Sequence, residues 1–173
     1  MIKIIDNFFS KNDLKSVQDF ASYSACYTPQ FFENAKEKNK ESYFGDRYYL
    51  DSNIELLNKF KEQAESKFNI KIKKIHNTSG IDQRNLDHFK PHIDSPHGKI
   101  NILIMLKGIN SITNGTVFFD KDNTNYDLNI NVGFKENRAL LFPSNHYHSQ
   151  YASDTPNMIR FTASLFIEDY EEL

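Results

Sequence analysis

Three short stretches of this chain carry the residue types of a reactive centre. The first is "DHFKPHIDSPHGKINILIML", with three histidines and two aspartates between Asp87 and His97 and an aliphatic run directly after. His92 and Asp94 stand two residues apart, a spacing that puts both side chains on one face of a strand. Pro91 disfavours a helix here, so His88 and His92 are not a helical ligand pair. The second is "ENRALLFPSNHYHSQY", an apolar strand broken at Pro143 and followed by His146 and His148 on a shared face. The third is "MIRFTASLFI", where Arg160 sits inside an apolar strand with Thr162 two residues on. A guanidinium in such a strand calls for a partner. In chain order the pattern is His-x-Asp, then His, then Arg-x-Thr. Two imidazoles and one carboxylate form the facial triad that holds non-haem Fe(II) and leaves coordination positions open for a chelating co-substrate and dioxygen. A buried arginine nearby suits a co-substrate bearing a carboxylate, because the guanidinium fork matches it with two parallel hydrogen bonds.

These residues need a frame. At 173 residues the chain is long enough for one domain with a sizeable core. It shows no repeat and no linker, so residues 1–173 are expected to form a single domain. "IKII" reads as a short strand. "SKNDLKSVQDFAS" reads as a helix capped by Ser10, with Leu14, Val17 and Ala21 on one face. A second helix is expected over Asn53–Phe68, with Ser52 and Glu55 as a capping box and Ile54, Leu57, Phe60, Ala64 and Phe68 as its apolar stripe. Between the helices, "YTPQFFENAKEKNKESYFGD" reads as a polar surface loop or lid. After residue 70 come "IKIKKIHNTS", "KINILIMLKG", "GTVFFD", "YDLNINV", "RALLFP" and "MIRFTASLFI", strand candidates separated by Asn, Asp, Gly and Pro. Helices followed by many short strands point to an α+β chain with an antiparallel sandwich or barrel.

With these segments in order, the chain resembles the Fe(II)- and 2-oxoglutarate-dependent oxygenases, in particular the compact prolyl-hydroxylase-like branch common in bacteria and phages. "KPHIDSPHGKINILIML" resembles that family's first metal motif and the core strand after it. "GTVFF" resembles the next strand, "ENRALLFPSNHYHSQY" the segment with the second histidine, and "RFTASLF" the strand bearing the co-substrate arginine. "IKIIDNFFSKNDLKSV" resembles the usual opening of such proteins. Residues 24 to 50 are the clearest exception. The resemblance implies a double-stranded β-helix, or jelly roll, with N-terminal helices packed on one sheet. It implies iron on His92, Asp94 and His148, with His148 favoured over His146 by the order histidine then serine. Arg160 would bind the distal carboxylate of 2-oxoglutarate, Thr162 would add a hydroxyl, and Asn101 or a neighbour would be a further co-substrate contact. It also implies a hydroxylase of an amino acid, a prolyl-type peptide or another small substrate, releasing succinate and CO2, with ascorbate as a supporting reductant. Halogenating relatives lose the carboxylate that this chain keeps as Asp94. The nucleic-acid demethylase branch carries a second arginine six residues after the first, where this chain has Phe166.

Other features are read more plainly. A net charge of −2 gives no electrostatic footprint for nucleic acid or an anionic membrane, and neither is expected as a partner. The single cysteine, Cys26, excludes an internal disulfide and a cysteine zinc site, which fits a reducing cytoplasm, of a bacterium or a phage-infected host. The N-terminal apolar run is too short for a signal peptide. His76 is expected to be structural or exposed, and His88 and His97 to lie behind the metal, against substrate, or on the surface. His146 is read as a substrate contact or a solvated turn residue. Tyr126, Tyr147 and Tyr151 are expected to line the barrel, and Asn137 with Arg138 to make a fold-stabilising bond to a loop. The run "NAKEKNKES" is expected to be solvated. Three rivals stand beside the oxygenase reading. One is a cupin-type metal jelly roll using His146 and His148 together; the second is a module that holds metal or ligand without turnover; the third is a purely structural protein.

Overall fold

The computed structural model describes residues 1–33, 41–84, 91–121, 126–150 and 159–173. In chain order the elements are β1 (Lys3–Ile5), α1 (Lys11–Asp19), a π-helical turn (Phe20–Ser24), β2 (Thr28–Glu33), β3 (Glu41–Tyr49), a 3-10 turn (Leu50–Ser52) and α2 (Ile54–Phe68). The strands β4 (Ile70–Ile75), β5 (Gly80–Arg84), β6 (Ile100–Lys107), β7 (Ser111–Lys121), β8 (Tyr126–Phe134), β9 (Arg138–Pro143), β10 (Tyr147–Gln150) and β11 (Arg160–Glu172) follow. The larger sheet runs β1-β9-β6-β11-β5-β3-β2, with β4 also on β11; the smaller runs β10-β7-β8. His92 joins the smaller sheet through an antiparallel bridge to His148. From β5 onward the chain therefore passes repeatedly between the two sheets, the winding of a double-stranded β-helix. All described strand pairs are antiparallel.

Alternation along β6 and β11 divides the interior into two layers. Ile102, Ile104 and Leu106 of β6 and Ala163, Leu165 and Ile167 of β11 pack against α1, the π-helical turn after it and α2 through Val17, Ala21, Phe60, Ala64 and Phe68. Leu103 and Met105 face the other way and meet Phe118, Val132, Phe134, Leu140 and Phe142 between the sheets. This is why "KINILIML" is apolar at nearly every position: both faces of β6 are covered. On β11 the inter-sheet positions are instead Arg160, Thr162, Ser164 and Phe166, and this change of polarity on one face marks the pocket. Burying a phenylalanine such as Phe60 or Phe118 contributes about 1.5–3 kcal/mol, so either layer is a large share of the stability.

The helices form where the apolar spacing placed them, and their ends show what spacing misses. Ser10 caps α1, its Oγ accepting from the Asp13 amide at 3.2 Å. In α2 the cap is Asn53 rather than Ser52: Asn53 Oδ1 accepts from the Leu56 amide at 3.0 Å, while Ser52 Oγ donates to the Tyr49 carbonyl and closes the preceding turn. The helix thus starts at Ile54, whose side chain is 62% exposed and does not join the stripe. The stretch read as a loop or lid is instead the β2–β3 hairpin, which extends the larger sheet beyond β5. Aromatic-rich segments flank the charged run there, and that run hides their strand character; residues 34–40 themselves lie outside the described residues. Among the described residues no helix is long and apolar enough to cross a membrane.

Asn137 and Arg138 tie β9 to the N-terminal segment. Asn137 adopts φ 66°, its Oδ1 accepts from the Phe9 amide at 2.8 Å, and its Nδ2 donates to the Phe9 carbonyl at 2.9 Å. Arg138 grips Asp6 at 2.7 and 3.2 Å. Replacing Asn137 by Ala strands two buried backbone groups and puts into left-handed backbone a residue that tolerates it less well than Asn. An expected loss of about 2–4 kcal/mol, read by urea unfolding, follows from those two costs.

Candidate metal centre

Two backbone features place the first arm. The His92 and His148 amides and carbonyls pair reciprocally at 3.0 Å, and the Asp94 amide donates to the Ser144 carbonyl at 2.7 Å. The chain then turns through Ser95–His97 and passes tightly against β11 at Gly98. A β-carbon there would lie 2.6 Å from the Ile167 carbonyl oxygen, so only glycine lets the turn close. His92 and Asp94 share a face as strand spacing predicts, although only a single bridge, not a continuous strand, holds them.

The result is a tight cluster. One ligand-type atom from each of His92, Asp94 and His148 lies within 4.8 Å of the others. His92 Nε2 is 3.6 Å from Asp94 Oδ1 and His148 Nε2 is 3.2 Å from Asp94 Oδ2. The His146 carbonyl can only accept, so at 3.0 Å His148 Nδ1–H donates a hydrogen bond to it. In the neutral ring this leaves the Nε2 lone pair turned toward the carboxylate. Lone pairs and a buried carboxylate facing one another need a cation between them. Burial raises the Asp94 carboxyl; when the imidazoles are protonated, a hydrogen bond from His148 and the charges of both rings outweigh it and hold the carboxyl below its ordinary value, a part that a bound cation takes when they are neutral. Asn101 Nδ2 donates to Asp94 Oδ2 at 2.6 Å and fixes the carboxylate from behind. Two imidazoles and one carboxylate with this support match the donor set of Fe(II).

The cluster opens into a pocket between the sheets. Arg160 and Thr162 line it, at 4% and 2% exposure. Arg160 Nη1 donates to the Asn114 and Gly115 carbonyls at 2.7 and 2.8 Å, which anchors the guanidinium on β7. Its Nε is buried with no partner, as are Thr116 Oγ1 and Asn101 Oδ1 in the same pocket. Burial and the nearby Arg84 charge push Arg160 down to about 9, so it stays charged at neutral pH. A charged, half-satisfied arginine facing orphaned polar atoms is the lining that a small, strongly polar ligand with a carboxylate would complete.

The other candidates fall elsewhere. His146 packs edge-on against Phe118, with ring centroids 5.4 Å apart, and contributes its carbonyl rather than its ring. His97 stacks between His76 and Phe166 at 5.1 and 5.2 Å, outside the trio. His76 bonds Thr78 through Nδ1 at 2.8 Å. Tyr147 meets Lys121 on the surface. His88 and Tyr151 lie outside the described residues, as does the side chain of Tyr126. The Arg47–Asp82–Arg84 group on β3 and β5 also lines the pocket and went unread. Its signal was present in "GIDQR": Asp82 and Arg84 at strand spacing, in a strand too short and too polar to stand out.

No protein-family profile and no curated protein matches the sequence. Comparison with solved structures does find likeness. An oxidoreductase of the 2OG-Fe(II) oxygenase family from Burkholderia pseudomallei superposes with a TM-score of 0.62 at 10% identity, over 98% of this chain and 84% of that one. A prolyl hydroxylase from Trichoplax adhaerens, in complex with a hypoxia inducible factor oxygen degradation domain peptide fragment, gives 0.60 at 16% identity, over 97% and 83%. The epimerase SnoN, in complex with Fe3+, alpha ketoglutarate and nogalamycin RO, gives 0.59 at 9% identity, over 99% and 78%. The α+β double-stranded β-helix of this chain, with its helices on the larger sheet, is the fold of the 2OG-Fe(II) oxygenases.

Proposed function

We propose that this chain is an Fe(II)- and 2-oxoglutarate-dependent oxygenase that hydroxylates a C–H bond of an amino acid, a prolyl-type peptide or another small substrate, with residues 1–173 acting as one unit. The observation that carries this reading is the trio of His92, Asp94 and His148, two Nε2 atoms and a carboxylate converging at one mouth of a pocket that also contains Arg160. Iron(II), with 2-oxoglutarate and dioxygen, supplies an oxidant able to take hydrogen from an unactivated C–H bond, and 2-oxoglutarate leaves as succinate and CO2.

The protein's part is to bind and orient. His92, Asp94 and His148 hold the metal, and Asn101 and the His146 carbonyl keep two of those ligands from turning. Arg160 offers its unpartnered Nε to the far carboxylate of the co-substrate, with the Thr162 and Thr116 hydroxyls alongside. Leu103 and Phe166 close the pocket with apolar surface, which excludes water from the reacting centre. The same fold serves an epimerase and a prolyl hydroxylase among the structures above, so the outcome depends on what the pocket wall holds beside the metal. The exposed, unpaired Cys26 fits a reducing cytoplasm.

Succinate formation from 2-oxoglutarate in air, with Fe(II) and ascorbate, tests the reading; dependence on protein and on Asp94 supports it, and equal succinate in Asp94→Ala opposes it. The two histidines of the second arm separate it from a cupin-type site. His148→Ala is expected to lower Fe(II) affinity by more than the roughly 10–100-fold that loss of an outer-shell partner costs. His146→Ala keeps the backbone carbonyl that orients His148 and is expected to leave affinity near wild type, measured by competition with a metallochromic dye. A cupin-type site would lose metal in both.

A further inference from the structure

The smaller sheet carries a polar pair that the metal does not use. β10 runs antiparallel to β7, with His148 opposite Phe118 and Gln150 opposite Thr116. Phe118 lies in the core between the sheets, so alternation turns His148, Gln150 and Thr116 to the same inner side. All three line the pocket. Gln150 Nε2 is buried without a hydrogen-bond partner, and so is Thr116 Oγ1. Directly opposed residues hold their β-carbons about 4.5–5.5 Å apart, so one small ligand can reach both groups.

Thr116 also follows directly on the anchor of Arg160. Neighbouring carbonyls of a regular strand point to opposite sides. Here the β7–β8 register shifts between Ser111 and Thr116, and the Asn114 and Gly115 carbonyls both accept from Arg160 Nη1. Only glycine fits at 115, where a β-carbon would lie 2.0 Å from the Val132 carbonyl oxygen. With Nη1 occupied, Arg160 Nε is left buried and unpartnered. Arg160 Nε, Thr116 Oγ1 and Gln150 Nε2 are thus three orphaned groups in one pocket, and all three can donate. A carboxylate only accepts and has about four lone-pair sites, so it can complete the set. Asn101 Oδ1, the other orphan of the described lining, is an acceptor beside Asp94 at the metal end and does not belong to it.

We propose that Gln150 is a co-substrate-binding residue, its amide donating to the distal carboxylate of 2-oxoglutarate from the sheet opposite Arg160, with Thr116 Oγ1 beside it. The proposal rests on the oxygenase reading above. Two residues along β10, from His148 to Gln150, is a step of about 6.5–7 Å, comparable to an extended five-carbon diacid. The metal ligand and the amide therefore stand where the two ends of the co-substrate would lie. Donors from both sheets clamp the carboxylate, and a neutral amide adds no charge that would repel Arg160. Gln150 thereby selects keto acids that carry a second carboxylate.

Calorimetry on protein loaded with redox-silent Mn(II) tests it, with 2-oxoglutarate and 2-oxobutyrate as probes; the second has the keto-acid end and no distal carboxylate. Gln150→Met keeps the bulk of the side chain and removes the donor. It is expected to lower 2-oxoglutarate affinity about tenfold or more, the scale of a hydrogen bond to a charged group, and to leave 2-oxobutyrate affinity within about twofold. Gln150→Glu sets a carboxylate against that of the co-substrate and is expected to lower 2-oxoglutarate affinity further, with 2-oxobutyrate again held. Retained 2-oxobutyrate binding also shows that each variant keeps its pocket. Unchanged 2-oxoglutarate affinity in Gln150→Met overturns the proposal and leaves the co-substrate reading standing. Equal losses for both keto acids also overturn it, because Gln150 would then act by supporting His148 or the pocket wall. Failure of wild type to bind either keto acid would sink the oxygenase reading itself.

Discussion

Asp94→Ala is expected to abolish 2-oxoglutarate turnover and to weaken Fe(II) binding by well over 100-fold, more than any outer-shell change produces. The carboxylate is the only anionic donor in the trio and stands between both imidazoles, 3.2 Å from one Nε2 and 3.6 Å from the other. Without it the two histidines are neutral donors with no charge to offset that of the ion, and ion affinity collapses. Asn101→Ala supplies the graded comparison. It removes the 2.6 Å hydrogen bond to Asp94 Oδ2 but no ligand, so affinity should fall by about 10–100-fold. Metal titrations of the three proteins check the order: wild type, then Asn101→Ala, then Asp94→Ala. Equal affinities would mean that the trio does not hold the metal.

Arg160→Gln is expected to weaken 2-oxoglutarate binding by at least about 30-fold while Fe(II) binding stays in place, because truncating one partner of a buried charge pair costs about 2–5 kcal/mol. The guanidinium is buried and anchored on the Asn114 and Gly115 carbonyls, so a co-substrate carboxylate meets a donor already held in position. The decisive comparison is 2-oxobutyrate, which has the keto-acid end without the distal carboxylate. Wild type should prefer 2-oxoglutarate strongly, and Arg160→Gln should bind the two alike. If the preference survives in the variant, another group holds the carboxylate. If the variant loses both ligands equally, Arg160 supports the fold of the pocket rather than the distal carboxylate.

The parts of this site that spacing encodes are legible in the sequence. His92 and Asp94 are brought together by alternation across one extended segment, and Arg160 and Thr162 by alternation along β11. His148 joins them because β10 and the His92 segment bridge at those two residues, a pairing that no local pattern contains; the resemblance, not the spacing, singled out His148 over His146. What stayed hidden was of two kinds. Some features turn on a single residue, as where Asn53 rather than Ser52 caps α2 and leaves Ile54 in solvent. Others depend on contacts between distant strands. Asn101 is expected from the resemblance as a co-substrate contact, and only the fold sets its amide behind Asp94. Asp82 carries no local signal, and only the β3–β5 pairing delivers Arg47 to it at bidentate distance. The β2–β3 hairpin was obscured because its charged connection dominates the composition of that region, although the flanking aromatics already favoured strands.

In the proposed function His92, Asp94, His148 and Arg160 together would hold iron with 2-oxoglutarate bound to it. An anaerobic titration of the Fe(II)-loaded protein with 2-oxoglutarate, followed by visible absorption, tests this without knowledge of the substrate. A metal-to-ligand charge-transfer band that saturates at one co-substrate per chain, is absent in Asp94→Ala and requires far more co-substrate in Arg160→Gln is the predicted result. Full Fe(II) binding with no such band at any 2-oxoglutarate concentration would contradict it and leave a metal-holding jelly roll without this co-substrate.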